Sequence, residues 1–251
     1  MPEEINRKIV DHVSDINMPY SEHARRYLLA EGLPADRVIK TGSPMKEVLG
    51  HYRSGIDASN MLNKLELHPN GYFLVSAHRE ENVDEPSSLT AFLDCLNAIW
   101  KKYGLPIIVS THPRTRKHLD ARAGGVVSGD IRFLKPLGFL DYVKLQLGAR
   151  CVISDSGTIT EEASILGVPA ITIRNVHERP EGMDEGVLIM SGLDPSRTLQ
   201  AIEVVIGQHN QDGQPSRLVD DYDVDCVSQK VVRIILSYTD YVNRVVWRKS
   251  L

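Results

Sequence analysis

The stretch SDSGTITEEA (154–163) places hydroxyl side chains, a glycine and two adjacent glutamates between an apolar run and a run of helical periodicity. The first N–H groups of a helix attract anions, and Gly157 allows a ligand to approach them closely. Ser156 and Thr158 can cap this helix, and Glu162 can accept hydrogen bonds from sugar hydroxyls. The stretch therefore indicates a site for a diphosphate and a ribose, although taken alone it also fits a plain helix cap with solvated glutamates.

Two further polar motifs follow apolar runs, SAHREEN (76–82) and STHPRTR (110–116). In an open parallel sheet the carboxyl ends of the strands meet at one edge, where ligands bind. His78, Arg79 and His112 at that edge are candidates for acid–base or phosphate chemistry. A histidine at the end of a strand is more often structural, but three polar motifs at one edge favour a ligand site. Of the two histidines, His78 is the stronger candidate.

Short β-rich runs alternate with longer runs of helical periodicity between residues 72 and 174, as a sheet with crossover helices requires. The β-rich runs are apolar throughout, which is typical of parallel strands covered by helices on both faces. A polar helix is expected over 114–121, and a longer one from Pro86, since proline suits a first helical turn. The pattern predicts an α/β fold with a Rossmann-like doubly wound parallel sheet. The expected strands lie within 72–78, 106–112, 130–136, 150–156 and 169–174.

The two ends of the chain lie outside this alternation. A helical start, a helix over 21–32 and a strand in RVIKTG (37–42) are expected near the N-terminus. Gly42, Ser43 and Pro44 then indicate a hinge. At the other end, apolar residues at helical spacing predict an amphipathic helix from about residue 226 to the C-terminus.

The composition narrows the class of protein. The chain has 251 residues and a net charge of -4, so it lacks the basic field that nucleic acids and anionic membranes attract. No apolar stretch approaches the roughly 20 residues of a membrane helix, and no signal peptide is evident, which predicts a cytoplasmic protein. Glycine-rich dinucleotide and P-loop motifs are absent, as is metal-ligand spacing, so neither a nicotinamide cofactor nor a metal is expected.

Five segments of the sequence carry one resemblance: PEEINRK, HREEN, THPRTRK, SDSGTITEEASILGVPAITIR and HERPEGMDEG. Together they resemble one family, the non-hydrolysing UDP-N-acetylglucosamine 2-epimerases. The resemblance runs from residue 2 to about residue 210. Within the family, the sequence is most similar to the branch that makes UDP-N-acetyl-L-fucosamine. It implies a glycosyltransferase-B-type fold of two Rossmann-like halves, no cofactor, and a homodimer in the full-length form. The implied reaction inverts C2 of a UDP-N-acetylhexosamine by elimination and readdition of UDP, for cell-surface polysaccharide precursors.

The resemblance assigns two catalytic residues. Glu3 matches a glutamate near the catalytic centre, and His78 matches a histidine that contacts the diphosphate and assists the departure of UDP. Arg79 belongs to the same substrate-binding motif. Tyr142 aligns with an aromatic residue near the uracil, and His112 with a histidine near a second, regulatory nucleotide-sugar site.

The resemblance also assigns the nucleotide site. Ser156, Gly157 and Glu162 match the residues that bind diphosphate and ribose. Arg179 matches a phosphate-binding arginine. Thr158 stands where many members have a second glycine, so the backbone approach to the ligand is expected to differ there.

In this family the PEE motif lies in the middle of the chain, whereas here it follows Met1. The resemblance therefore implies a C-terminal fragment, which by itself is expected to be inactive because the acid and base at C2 would be missing. Its expected parts are the end of the N-terminal domain (1–41), a UDP-binding domain (42–225) and a closing helix (226–251). Two other functions stay open: a glycosyltransferase of the same architecture, and a non-catalytic module that binds nucleotide sugars.

Overall fold

The computed structural model divides the chain into two compact units, each with its own packing. The terminal unit consists of Met1–Gly50 with Val219–Leu251, and the sheet unit of His51–Leu218. The domain boundaries expected near residues 41 and 225 stay predictions. The residues that the structure describes are 2–77, 85–111, 129–176, 179–212 and 217–249.

The sheet unit is built on six parallel strands in the order β3-β2-β1-β4-β5-β6, counted over the described residues. This is the strand order of a doubly wound Rossmann sheet, so the predicted α/β fold class is confirmed. β6 has only two residues, too few for a sequence pattern to reveal it. The strands are β1 Phe73–Ser76, β2 Ile107–Ser110, β3 Ile131–Leu134, β4 Cys151–Ser154, β5 Ala170–Thr172 and β6 Ile189–Met190.

The helices are numbered along the described chain, with a 3-10 turn at Ala35–Arg37 and a π-helical turn at Val242–Val246. None of the helices in these described parts combines the length and apolarity that crossing a lipid bilayer demands. They are α1 Pro2–Val13, α2 Glu22–Ala30, α3 Met45–His51, α4 Arg53–Ala58, α5 Met61–Lys64, α6 Pro86–Tyr103, α7 Phe139–Gly148, α8 Ile159–Leu166, α9 Pro180–Asp184, α10 Pro195–Asp212 and α11 Val227–Tyr241.

Helices cover both faces of the sheet. On one face α6 and α10 pack against the strands, and the shared core includes Phe92 and Leu96 of α6 and Ile202 of α10. α7 packs with α4 and α5. The expected start of α6 at Pro86 is confirmed, with proline in the first turn. The expected helix over 114–121 lies outside the described residues.

The terminal unit is held together by contacts between the two chain ends. The predicted strand in RVIKTG is reduced to a single parallel bridge between Asn17 and Val38. α11 approaches the 3-10 turn, where the Tyr238 hydroxyl donates to the Asp36 carbonyl at 2.9 Å. The indole N–H of Trp247, just beyond α11, donates to the Asp15 carboxylate at 3.1 Å. The expected amphipathic helix begins at Val227 as predicted, but its α-helical part ends at Tyr241 and a π-helical turn over Val242–Val246 follows it.

Candidate functional site

The carboxyl ends of β1 and β4 form the switch point of the sheet. From β1 the strand order runs outward through β2 and β3 on one side, and from β4 through β5 and β6 on the other. Ser76 and Ser154 are register partners at these ends, and the Asp155 N–H donates to the Ser76 carbonyl at 3.1 Å. Helices leave the sheet in opposite directions here, which opens a crevice for a ligand. The stretch 154–163 therefore starts at the predicted ligand edge.

The turn after β4 leads into the N-terminus of α8 through hydroxyl side chains. Thr158 occupies the N-cap position, but its side chain makes no capping hydrogen bond. The Ser156 and Thr158 hydroxyl oxygens lie 3.0 Å apart, and Thr158 also hydrogen-bonds the Glu162 carboxylate. Either hydroxyl can donate in the Ser156–Thr158 pair. The N-cap side chain thus leaves the first-turn N–H groups of α8 to other acceptors.

Two arginines share a cleft with this turn. The cleft is lined by Ser156 and Gly157 before α8, by Thr172 and Arg174 at the end of β5, and by Arg179 before α9. Arg174 is buried, so its charge acts in a medium of low polarity. Together with the positive end of the α8 dipole, the guanidinium groups make this cleft suitable for an anion. The sequence analysis missed Arg174, although its place two residues after β5 puts it at the ligand edge.

Arg179 is held in the cleft by α8. Its Nη2 atom lies 2.8 Å from the Glu161 Oε1 atom, while its Nε atom has no hydrogen-bond partner among the described residues. Gly182 brings α9 close to α8, since a Cβ atom there would lie 2.1 Å from the Thr160 Cγ2 atom. Close packing of the two helices and one ion pair therefore fix the guanidinium of Arg179.

Glu162 is a buried carboxylate surrounded by hydrogen-bond donors. Its residue is only 9% exposed. Burial raises the pKa of the Glu162 carboxyl, and the nearby Glu161 charge adds to this, against the hydrogen bonds from Gln146 and Thr158. The Gln146 Nε2 atom donates to Glu162 Oε2. A carboxylate held by two donors can still accept hydrogen bonds from ligand hydroxyls on its remaining lone pairs.

Tyr142 lies beside the same carboxylate, one turn before Gln146 on α7. Burial raises the pKa of the Tyr142 phenol, as does the Glu162 charge, and the phenol hydrogen-bonds Ser76 and Ser154. The side chain therefore reaches the switch point, with its hydroxyl at the ends of β1 and β4. Contact of its ring with a uracil stays a prediction.

The structure brings six of the sequence-predicted residues into one region around the β4–α8 turn. His78, Arg79 and His112 lie outside the described residues, and of Glu3 only its place in α1 is described. Within the described ranges, no three His, Cys, Asp or Glu side chains are grouped to hold a metal ion. The six residues are Tyr142, Ser156, Gly157, Thr158, Glu162 and Arg179.

Comparison with known proteins gives consistent matches. Residues 1–236 match the model of the family described as UDP-N-acetylglucosamine 2-epimerase. The UDP-N-acetylglucosamine 2-epimerase of Methanocaldococcus jannaschii is 32% identical over 83% of this chain and 58% of its own length. The UDP-2,3-diacetamido-2,3-dideoxy-D-glucuronate 2-epimerase of Pseudomonas aeruginosa is 29% identical over 88% of this chain and 63% of its own length.

Solved structures are similar over almost the whole chain. A structure of UDP-N-acetylglucosamine 2-epimerase from Rickettsia bellii is 51% identical, with a TM-score of 0.90 over 99% of this chain and 66% of its own. The Methanocaldococcus jannaschii enzyme in complex with UDP-GlcNAc and UDP is 29% identical, with a TM-score of 0.83 over 94% of this chain and 65% of its own. The chain thus spans about three fifths to two thirds of the length of these relatives.

Proposed function

Because this chain belongs to the UDP-N-acetylglucosamine 2-epimerase family, we propose that its sheet unit binds the UDP part of a UDP-N-acetylhexosamine for inversion of the sugar at C2. The observation that carries the proposal is the cleft in which the N-terminus of α8 meets Arg174 and Arg179, beside the buried Glu162. Such a cleft offers charged donors to a diphosphate and an acceptor to a ribose.

The diphosphate is proposed to lie against Ser156, Gly157 and Arg179. Backbone N–H groups and a hydroxyl bind phosphate oxygens without regard to the base, while a guanidinium gives two parallel hydrogen bonds. The Arg179 side chain supports this role because it stays 29% exposed although its Nη2 atom is paired with Glu161. The Thr158 side chain already interacts with Ser156 and Glu162, so we assign the Thr158 backbone N–H rather than its hydroxyl to phosphate.

The proposed reaction is an elimination followed by an addition. A base removes the C2 proton, the C–H electron pair forms a double bond between C1 and C2, and UDP leaves with the C1–O electron pair. UDP then adds back to C1 while C2 takes a proton on its other face. Because the C2–H is weakly acidic, stabilising the charge on the departing diphosphate lowers the barrier, and the guanidinium groups and α8 N–H groups would supply this.

The remaining site residues keep their predicted roles in this proposal. Glu3 and His78 are assigned to the catalytic centre, Arg79 to the substrate and His112 to a regulatory nucleotide-sugar site. These assignments and the homodimer are proposals supported by the family resemblance. The cytoplasmic location is a proposal that rests on the sequence pattern, in which no apolar stretch has the length of a membrane helix. The branch within the family that makes UDP-N-acetyl-L-fucosamine also stays a prediction.

Calorimetry with UDP tests the binding part. We expect UDP to bind, CDP to bind more weakly, and Arg179→Met to weaken UDP binding by tenfold or more, since it removes a charged hydrogen-bond donor. Lys102→Met, which removes an exposed cation paired with Glu203 on another surface, is the control and should leave UDP binding unchanged. Absence of UDP binding to folded protein would refute the proposal.

A chimera tests the reaction. This chain replaces the matching 66% of the Rickettsia bellii relative, and the chimera is incubated with UDP-GlcNAc in D₂O. An epimerase incorporates deuterium at C2 and forms the C2 epimer. A glycosyltransferase would instead consume the UDP-sugar only when an acceptor is added, and a binding module would leave it unchanged.

A further inference from the structure

We propose that Gln146 is a positioning residue that fixes the Glu162 carboxylate in the orientation that accepts hydrogen bonds from the ribose hydroxyls. The inference rests on the proposed function and deepens it, because it assigns nucleotide recognition to a residue of α7 that makes no contact with the ligand itself. Its basis is the hydrogen bond from Gln146 Nε2 to Glu162 Oε2, which joins α7 to α8.

Gln146 is placed where a polar side chain is costly. It is 0% exposed, and its Oε1 atom has no hydrogen-bond partner among the described residues. A buried amide with one unused acceptor costs free energy that an apolar side chain of the same size would not. Packing alone therefore does not explain a glutamine at this position, whereas orientation of a carboxylate does.

The hydrogen bond restricts Glu162 from one side only. Thr158 bonds the same carboxylate from the start of α8, so donors from two elements surround it. With 9% of the residue exposed, Glu162 is not completely enclosed by the protein. A carboxylate that is already oriented loses less side-chain entropy when the ligand binds, so a missing Gln146 should weaken recognition of the hydroxyls specifically.

The experiment compares UDP with 2′,3′-dideoxy-UDP, which lacks both ribose hydroxyls, by calorimetry at neutral pH. We expect the wild-type protein to bind UDP about tenfold more tightly than the dideoxy compound. Gln146→Met keeps the length and burial of the side chain but removes the donor. It should lower this ratio to about that of Glu162→Gln, while affinity for the dideoxy compound changes by about twofold or less.

Thr198→Val is the matched control. Thr198 is also 0% exposed, but its hydroxyl hydrogen-bonds Ser191 and Cys95 and not Glu162. It should cost stability and keep the wild-type ratio. A Gln146→Met protein that keeps the ratio would overturn the inference while leaving the proposed function standing. Wild-type protein that does not bind UDP would overturn both.

A measurement on the wild-type protein covers the case in which Gln146→Met does not fold. The side-chain NH₂ resonances of Gln146 in a ¹⁵N-labelled protein report the hydrogen bond to Glu162. They should shift on saturation with UDP and shift less with 2′,3′-dideoxy-UDP. Equal shifts with the two ligands, or none, would overturn the inference.

Discussion

Arg179 and Glu161 form an ion pair across two helices, with the Arg179 Nη2 atom 2.8 Å from the Glu161 Oε1 atom. The Glu161 side chain is 3% exposed, whereas that of Arg179 is 29% exposed. The carboxylate is thus an anchor inside the protein, and the guanidinium faces the cleft at the start of α8. The ion pair therefore lets stability, which involves Glu161, be separated from the proposed binding of an anion by Arg179.

The ion pair allows stability and ligand binding to be measured apart. Arg179→Met should lower the free energy of unfolding by about 2 kcal/mol, less than for a fully buried pair, because it leaves the Glu161 carboxylate without its guanidinium. The double variant Glu161→Gln/Arg179→Met should recover part of that loss but none of the affinity for UDP. Urea denaturation and calorimetry measure the two effects, and recovery of UDP binding in the double variant would contradict this separation.

The contact between α8 and α9 should be sensitive to a single methyl group. Gly182→Ala places a Cβ atom 2.1 Å from Thr160 Cγ2, so α9 must move and take Arg179 with it. We expect a loss of about 1–3 kcal/mol in unfolding free energy and weaker UDP binding. Thr160→Ser removes the methyl group and should restore both in the double variant. Gly207→Ala is the control: it meets no atom within 4 Å, and should stabilise α10 slightly.

The fold was largely predictable from sequence, and its polar contacts were not. Apolar runs identified five of the strands, because buried parallel strands have a simple pattern. Runs of helical periodicity between them identified α6 to α8. The strands' order was not predicted, and no prediction covered α10 or the short helices α3 to α5. Helices of four to seven residues are too short to show a period.

In the candidate site, too, some residues could be predicted from the sequence and others could not. The sequence predicts one site from Ser156, Gly157 and Glu162 because they lie close together just after the end of a strand, β4. Gln146 lies 16 residues before Glu162, and nothing in a single sequence tells which buried polar groups pair across helices. Arg174 was missed for the related reason that its role depends on what α9 places opposite it.

The raised pKa of Glu162 makes stability depend on pH. Its folded pKa lies above the ordinary value of 4.5, because burial disfavours the charged form. The folded state therefore binds the proton more tightly than the unfolded state. The stability that protonated Glu162 contributes is present below pH 4.5 and is lost as pH rises through the folded pKa. Glu162→Gln should thus gain stability relative to wild type as the pH rises from 4.5 towards neutral. Urea denaturation of both proteins at several pH values measures this difference in unfolding free energy.

UDP binding should respond to pH in the opposite sense. In the proposed site the ionised Glu162 carboxylate accepts hydrogen bonds from the ribose hydroxyls, so wild-type affinity for UDP should rise over the same pH window in which stability falls. Glu162→Gln should lack both trends. Glu85→Gln, at an exposed glutamate before α6, is the control and should keep them. A wild-type stability profile that matches the Glu162→Gln profile would contradict the assignment of the titrating group.

Tyr142 offers a test in which ring and hydroxyl are removed separately. Tyr142→Phe removes the hydrogen bonds to Ser76 and Ser154 and should cost about 1 kcal/mol of stability, yet keep UDP affinity within about threefold if the ring contacts the uracil. Tyr142→Leu also removes the ring and should weaken UDP binding further. Tyr103→Phe is the control, because the Tyr103 hydroxyl has no partner among the described residues and its loss should be nearly neutral. If Phe and Leu at position 142 bind UDP equally well, the role of Tyr142 lies in joining β1 to β4 rather than in holding the base.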